Sequence, residues 1–340
     1  MQLTSNELFN QSFPIRKTAL AASIASLLTG LITATPAYAI NVNDNLKVEA
    51  KVFSDFTSIS GSSSSAIDDA ASGFHFSRAY FEVRGKTSKD DMVRITLDQK
   101  AADKSVFVKY AYWQHKYSDA LTIKAGQNHT PLVDHLEGKM WGRRYISPIF
   151  VDKFHAETSS DLGVSILGKA TKSIDYYVSI MNGEGYTHKT DGTGYAIMGR
   201  VEWHDAGAHV GIFNHTENDH SGIAGYDPTR VDVFGWWENQ TFKIGGQYLT
   251  ADDGSSKTRF DNGKGYNLLA DLKLGKTTVF ARYDTMDERN NGNNHTLAIA
   301  GVEFKAAKGV KVAFDYQTED KGTPGSTSVD TIGAHTEFKF

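Results

Sequence analysis

Small and apolar residues alternate with polar ones along much of this chain, in segments of about ten residues. Leu46, Val48, Ala50 and Val52 fall on one phase, and Lys47, Glu49 and Lys51 on the other. Val93, Ile95 and Leu97 alternate in the same way with Arg94, Thr96 and Asp98. A period of two places the two sets on opposite faces of a strand. Followed to the end, the pattern predicts sixteen strands, over residues 45–56, 74–86, 92–100, 105–115, 120–127, 161–169, 174–181, 194–203, 208–216, 230–238, 241–251, 265–273, 277–286, 295–304, 309–317 and 329–340. An even number of antiparallel strands puts both chain ends on one side of the sheet.

The connections sort by parity. Those after even-numbered strands are short, as at 87–90, 116–119, 204–207 and 239–240. Those after odd-numbered strands are mostly long and polar, as at 183–193, 217–229, 252–264 and 318–328. Short turns on one side and long loops on the other are the asymmetry of an outer-membrane barrel, and a soluble β-sandwich gives no reason for it. The pattern therefore predicts an all-β fold, a sixteen-stranded antiparallel transmembrane β-barrel, with no domain linker. The connection after strand five, about 128–160, is the longest. It carries Trp141, Tyr145, Ile149, Phe150 and Val151, which are costly to leave in water. A sixteen-stranded barrel is wide enough to hold it, so an inward-folded constriction loop is expected.

Composition changes this picture only at the ends and in the choice of chemistry. Residues 1–39 read as a signal peptide: Arg16 and Lys17, an apolar run over 18–32, and Ala37-Tyr38-Ala39 as the cleavage site. The apolar run is shorter than the ~20 residues of a membrane-spanning helix. The barrel domain is expected over 40–340, beginning at Ile40 after cleavage. Cysteine is absent, which excludes disulfides, thiolate nucleophiles and Cys-metal sites. A formal charge of −4 gives no reason to expect a nucleic-acid partner. An apolar content of 40% suits a barrel, in which only every second strand residue needs to meet lipid.

The same alternation assigns charges to the lumen. Over the first five strands these include Lys47, Lys51, Arg78, Arg84, Arg94, Lys100, Lys109 and Lys124, with Glu49, Glu82 and Asp98 on the same face. Later strands are balanced, and acidic residues gather in loops at Asp68, Asp69, Asp219, Asp252 and Asp253. One half of the bore is thus expected to be basic although the chain is acidic. Arg and Lys along a narrow pore lower the barrier to anions. Arg143 and Arg144, with Lys139, are the candidates for the constriction; Arg78, Arg84, Arg94, Lys109 and Lys124 are the candidates for the lumen wall. Arg–Glu networks that merely hold the loop are the competing account of these residues. Tyr112, Trp203, Trp237, Tyr248, Tyr266, Phe338 and Phe340 fall near strand ends, where aromatic girdles are expected.

Several stretches together carry a family resemblance. They are Phe76-Ser77-Arg78-Ala79-Tyr80-Phe81-Glu82-Val83-Arg84-Gly85, Lys124-Ala125-Gly126-Gln127-Asn128-His129-Thr130-Pro131, Arg143-Arg144, and Tyr176 through Gly185. In this order they resemble the phosphate-selective porin O and P family, and the C-terminal Phe340 resembles the terminal signature of bacterial outer-membrane proteins. The resemblance covers most of the chain from Ile40 onward. It implies a sixteen-stranded outer-membrane porin, a homotrimer, with the loop after strand five in the lumen. The chain departs from that family in being compact and acidic, so the resemblance does not by itself carry a phosphate preference.

The function expected is passive diffusion of small hydrophilic solutes with a modest anion preference. An unselective or cation-preferring porin and a non-conducting adhesin or scaffold are the alternatives. Partners would be small solutes or anions, outer-membrane lipid and lipopolysaccharide. An enzyme is not expected: Ser and His are plentiful but sit in no nucleophile motif. No cofactor or metal is expected either. His129, His135 and His155 could meet in the long loop, but polar loop residues are the more ordinary reading. Asp252-Asp253-Gly254 is turn chemistry and does not match a calcium-loop pattern.

Overall fold

The computed structural model describes residues 40–60, 72–100, 105–188, 194–218, 225–322 and 328–340, with backbone alone for 40–42. The expected signal segment, residues 1–39, lies outside them. Among the described residues no helix is long and apolar enough to cross a membrane; the spanning elements are strands.

The sixteen strands are β1 Leu46–Ser60, β2 Gly73–Lys86, β3 Asp91–Lys100, β4 Val106–Lys116, β5 Thr122–His129, β6 Ser160–Thr171, β7 Ile174–Met181 and β8 Tyr195–Asp205. They continue with β9 Ala208–Asn218, β10 Thr229–Glu238, β11 Phe242–Asp252, β12 Gly263–Leu274, β13 Thr277–Asp287, β14 His295–Ala307, β15 Val310–Asp320 and β16 Val329–Lys339. Every neighbouring pair is antiparallel, and β16 closes on β1, with Lys339 opposite Lys51 and Asp330 opposite Ser60. Closure leaves no sheet edge to satisfy in lipid. A four-residue strand, Ile40–Asn43, pairs with the start of β1 just beyond Phe340. The Phe340 N–H donates to the Ala50 carbonyl and the Phe340 carbonyl accepts from the Ala50 N–H, so the pairing with β1 runs one residue past β16.

The period-two reading holds along the wall. In β12, Gly263, Gly265, Asn267, Leu269 and Asp271 are buried inside, while Lys264, Tyr266, Leu268 and Ala270 face out. The outer surface is a continuous belt of exposed aliphatic side chains, among them Ile95, Val164, Ile180, Ile212, Val233, Leu268 and Ile332. A soluble surface does not carry such a patch, and a bilayer covers it. Trp113, Trp203, Trp237, Phe242, Phe304, Phe338 and Phe340 are exposed toward the short-turn end of this belt, where aromatic side chains sit at a membrane interface.

Register shifts at 169–171 and 305–307 lie beside short turns, and two bulges deeper in the wall shift the phase. In β2, Phe53 pairs with Arg78 and Ser54 with Phe76, which leaves Ser77 over. In β4, Thr96 pairs with Tyr110 and Leu97 with Val108, which leaves Lys109 over. One extra residue turns two consecutive side chains to the same face and flips all that follow. Lys109, Tyr110 and Tyr112 are consequently all buried inside. Tyr112, expected in the girdle, is corrected to the lumen for this reason.

Residues 130–159 fold into the barrel as α1 Val133–Leu136, a π-helical turn Glu137–Trp141, and α2 Phe150–Lys153. The turn ends at Gly142, whose φ of 72° is a left-handed conformation that a side chain disfavours. Leu132, Leu136, Met140, Trp141, Ile149, Phe150 and Phe154 are buried against inward-facing Met198, Phe213, Phe234, Leu249, Leu269, Phe280 and Leu297. Half of the bore is therefore a packed apolar core. The alternation alone predicts a wet interior all round, but β8–β14 are apolar on both faces at this level. The open space runs along the remaining wall, chiefly β1–β4.

Candidate solute path

Two cavities flank the loop. The one toward the long loops measures about 850 Å³ and is lined by Arg78, Lys100, Asp152, Lys153, Tyr186 and Arg230, among others. The one toward the short turns measures about 450 Å³ and lies between the loop and β1–β4. Its lining holds seven basic side chains (Lys51, Arg84, Arg94, Lys109, Arg144, Lys311 and Lys339) against five carboxylates (Glu49, Glu82, Asp134, Glu137 and Glu337).

Arg144 lines both cavities. Its Nε donates to the Tyr80 hydroxyl on β2 at 3.1 Å, which carries the loop across the open side. Its Nη1 donates both to Asp152 and, at 3.4 Å, to Glu137. Burial opposes ionisation of Asp152, but the guanidinium of Arg144, with Lys109, still holds it below the usual carboxylate range. Burial pushes the Glu137 carboxyl up, against Arg144 and the Ile149 N–H that it accepts.

Arg143 points the other way. It is 4% exposed and lines neither cavity. It donates twice to Asp271, at 2.9 and 3.1 Å, lies 3.6 Å from Glu303, and stacks 4.5 Å above the Phe280 ring. Two adjacent arginines thus take opposite tasks: one faces the path and the other ties the loop to the far wall. Nothing in the dipeptide distinguishes them. Lys139 is exposed at the loop surface but lines neither cavity, and its carbonyl accepts from Lys243 at 2.7 Å.

The wall candidates separate too. Arg78 lines the long-loop cavity and pairs with Asp98 through two hydrogen bonds, at 2.8 and 2.7 Å. Arg84 and Arg94 stand directly opposite each other on β2 and β3 and both reach Glu82, which offsets their repulsion. Lys109 lines the short-turn cavity at 3.6 Å from Asp134. Burial works against charge on Asp134, yet Lys109, His129 and the Tyr110 hydroxyl hold it well below the usual carboxylate range. Lys124 lines neither cavity; it is buried with its Nζ 3.4 Å from the Tyr177 hydroxyl.

Tyr80, Tyr186, Asp134 and Glu137 line the cavities without having been singled out in the sequence. Tyr80 was within reach of the pattern, since it shares the phase of Arg78 and Glu82. The others depend on loop geometry. Histidine contacts also anchor the loop. His135 reaches Glu202 on β8, and His215 on β9 meets Glu157 at 2.7 Å. Among the described residues no His, Asp and Glu cluster is suited to hold a metal ion.

No protein-family model matches the chain, and no curated protein matches it. Solved structures do. The anion-selective porin from Comamonas acidovorans is 12% identical with a TM-score of 0.68, over 87% of this chain and 99% of that one. OmpF of Salmonella typhi, in complex with daunomycin, is 12% identical with a TM-score of 0.68, over 89% of this chain and 100% of that one. OmpT, an outer membrane protein of Vibrio cholerae in its trimer form, is 14% identical with a TM-score of 0.61, over 87% and 99%. At these identities the likeness is one of fold: the chain has the architecture of an outer-membrane porin barrel.

Proposed function

We propose that this chain is an outer-membrane channel, not an enzyme, through which small hydrophilic solutes diffuse, with a modest preference for anions. The observation that carries the reading is Arg144, a cation common to the cavities on both sides of the loop, beside a lining in which basic groups exceed carboxylates. A small cationic excess in a narrow, low-dielectric bore attracts anions without binding them tightly. The excess is small because most cations have a carboxylate partner, so a dense phosphate-binding ladder of the phosphate-selective porin O and P type is not part of the reading. The loop acts as the size filter. Export is by cleavage after Ala39, and assembly is as a homotrimer, the form in which one structure of the same fold is described. Outer-membrane lipid and lipopolysaccharide would surround the aliphatic belt.

Reconstitution in planar bilayers tests this. Stepwise current with a reversal potential favouring chloride over potassium is expected in a potassium chloride gradient. Arg144→Ala is expected to lower the chloride-to-potassium permeability ratio about two- to five-fold, the effect of about 0.5–1 kcal/mol on a partly screened charge. An unchanged ratio would remove Arg144 from the constriction. Absence of any current would favour an adhesin or scaffold.

A further inference from the structure

The basic wall of the bore is interleaved with tyrosines in a regular order. Lys100 Nζ lies 5.6 Å from the ring centre of Tyr186. Lys109 Nζ lies 5.7 Å from that same ring and 5.3 Å from the ring of Tyr80. Lys51 Nζ lies 6.0 Å from the ring of Tyr80. Cation, ring, cation, ring, cation follow one another from the long-loop cavity, which Lys100 and Tyr186 line, to the short-turn cavity, which Lys109, Tyr80 and Lys51 line. Both rings are held at their hydroxyls. Tyr186 accepts from Arg78 at 2.9 Å and donates to Asp98 at 2.7 Å, and Tyr80 accepts from Arg144 at 3.1 Å. Rings fixed in this way present their faces without further ordering cost.

We propose that this track makes the channel prefer, among anions, flat aromatic carboxylates. The proposal rests on the reading of the chain as an anion-preferring channel and names the solute class for the same path. An arene carboxylate can lay its ring on a tyrosine in offset or edge-to-face contact while its anionic end meets the next lysine. Chloride or an aliphatic acid uses the lysine alone. A multiply charged inorganic anion gains no ring contact, and the carboxylates that face Arg78 and Lys109, Asp98 at 2.7 Å and Asp134 at 3.6 Å, weaken the cationic field for every anion alike. Alternating rings and cations also offer equivalent stations along the path, so a solute can pass from one to the next without a deep trap.

The test uses the full mature chain in planar bilayers carrying a potassium chloride current. Sodium benzoate is compared with sodium cyclohexanecarboxylate, which has the same charge and nearly the same size but no π-face. Benzoate is expected to reduce the current at a roughly three- to ten-fold lower concentration, the range that an aromatic pair supports. Tyr186→Leu, in the loop after β7 and outside the barrel wall, is expected to close most of that gap, read as the ratio of the two acids' blocking concentrations, each normalised to the chloride current that the variant itself carries. Heat-modifiable gel mobility confirms that the variant is folded, and the comparison of the two acids on the unaltered chain needs no variant. Equal action of the two acids on the unaltered chain overturns the proposal, as does a gap that survives in Tyr186→Leu. Absence of any current overturns the channel reading itself, whereas current without discrimination overturns only the aromatic preference.

Discussion

Arg143→Ala should destabilise the folded barrel by about 3–5 kcal/mol, the cost of leaving a buried charge without its partner. The arginine is clasped by Asp271 and Glu303 and covered by the Phe280 ring. Its removal leaves two carboxylates in a nearly dry pocket; Glu303 keeps the Tyr145 hydroxyl at 2.7 Å and Lys311 at 3.5 Å, but Asp271 loses both of the hydrogen bonds that Arg143 gave it. The loop should undock from β12 and β14, so single-channel conductance should rise and become noisy while urea unfolding in detergent moves to a lower concentration. The pair Arg143→Met with Asp271→Leu should recover much of the loss, since a well-packed apolar pair costs less than an orphaned charge. An unfolding midpoint for Arg143→Ala equal to that of the unaltered chain would sink the assignment of this residue as the anchor. The contrast with Arg144 lies in the permeability ratio: both substitutions unpair carboxylates and loosen the loop, but only Arg144 lines the cavities, so only its removal should take a cation from the path.

A second pair of neighbours should behave oppositely for a different reason. Leu268 faces the bilayer at 58% exposure, and Leu269 is buried in the bore at 3%. Leu269→Ala should cost about 2–5 kcal/mol, because it opens a cavity against the docked loop. That loss should appear both in detergent and in lipid. Leu268→Arg, near the middle of β12, should cost about 2–4 kcal/mol in a bilayer. In detergent micelles, where the head group can reach water, the cost should be much smaller. The measurement is urea-dependent unfolding of each variant in liposomes and in detergent. A Leu268→Arg penalty equal in the two media would contradict the placement of this residue at the lipid face.

These two expectations mark where local pattern ends. Strand number, strand order, the side of the short turns and the existence of an inward loop were all legible along the chain, because each follows from alternation and connection length. A residue in a strand has only two directions to point, so the phase of its neighbours fixes it until a bulge intervenes. The bulge at Lys109 has no signature of its own; the identity of the partner strand decides it, and with it the inward turn of Tyr110 and Tyr112.

Local alternation is therefore enough to specify the wall: sixteen two-faced strands, greasy outside and charged over the first part of the inside. The filling was settled only when the chain folded. Whether Phe213, Phe234, Leu269 and Phe280 meet water or another apolar surface depends on where residues 130–159 come to rest. That choice also separates Arg143 from Arg144 and joins Tyr80 and Tyr186 into one track with Lys51, Lys100 and Lys109. The physical reason is range: alternation is set between adjacent residues, whereas docking of the loop sums burial and ion pairs across strands far apart in the chain and near only after the barrel closes.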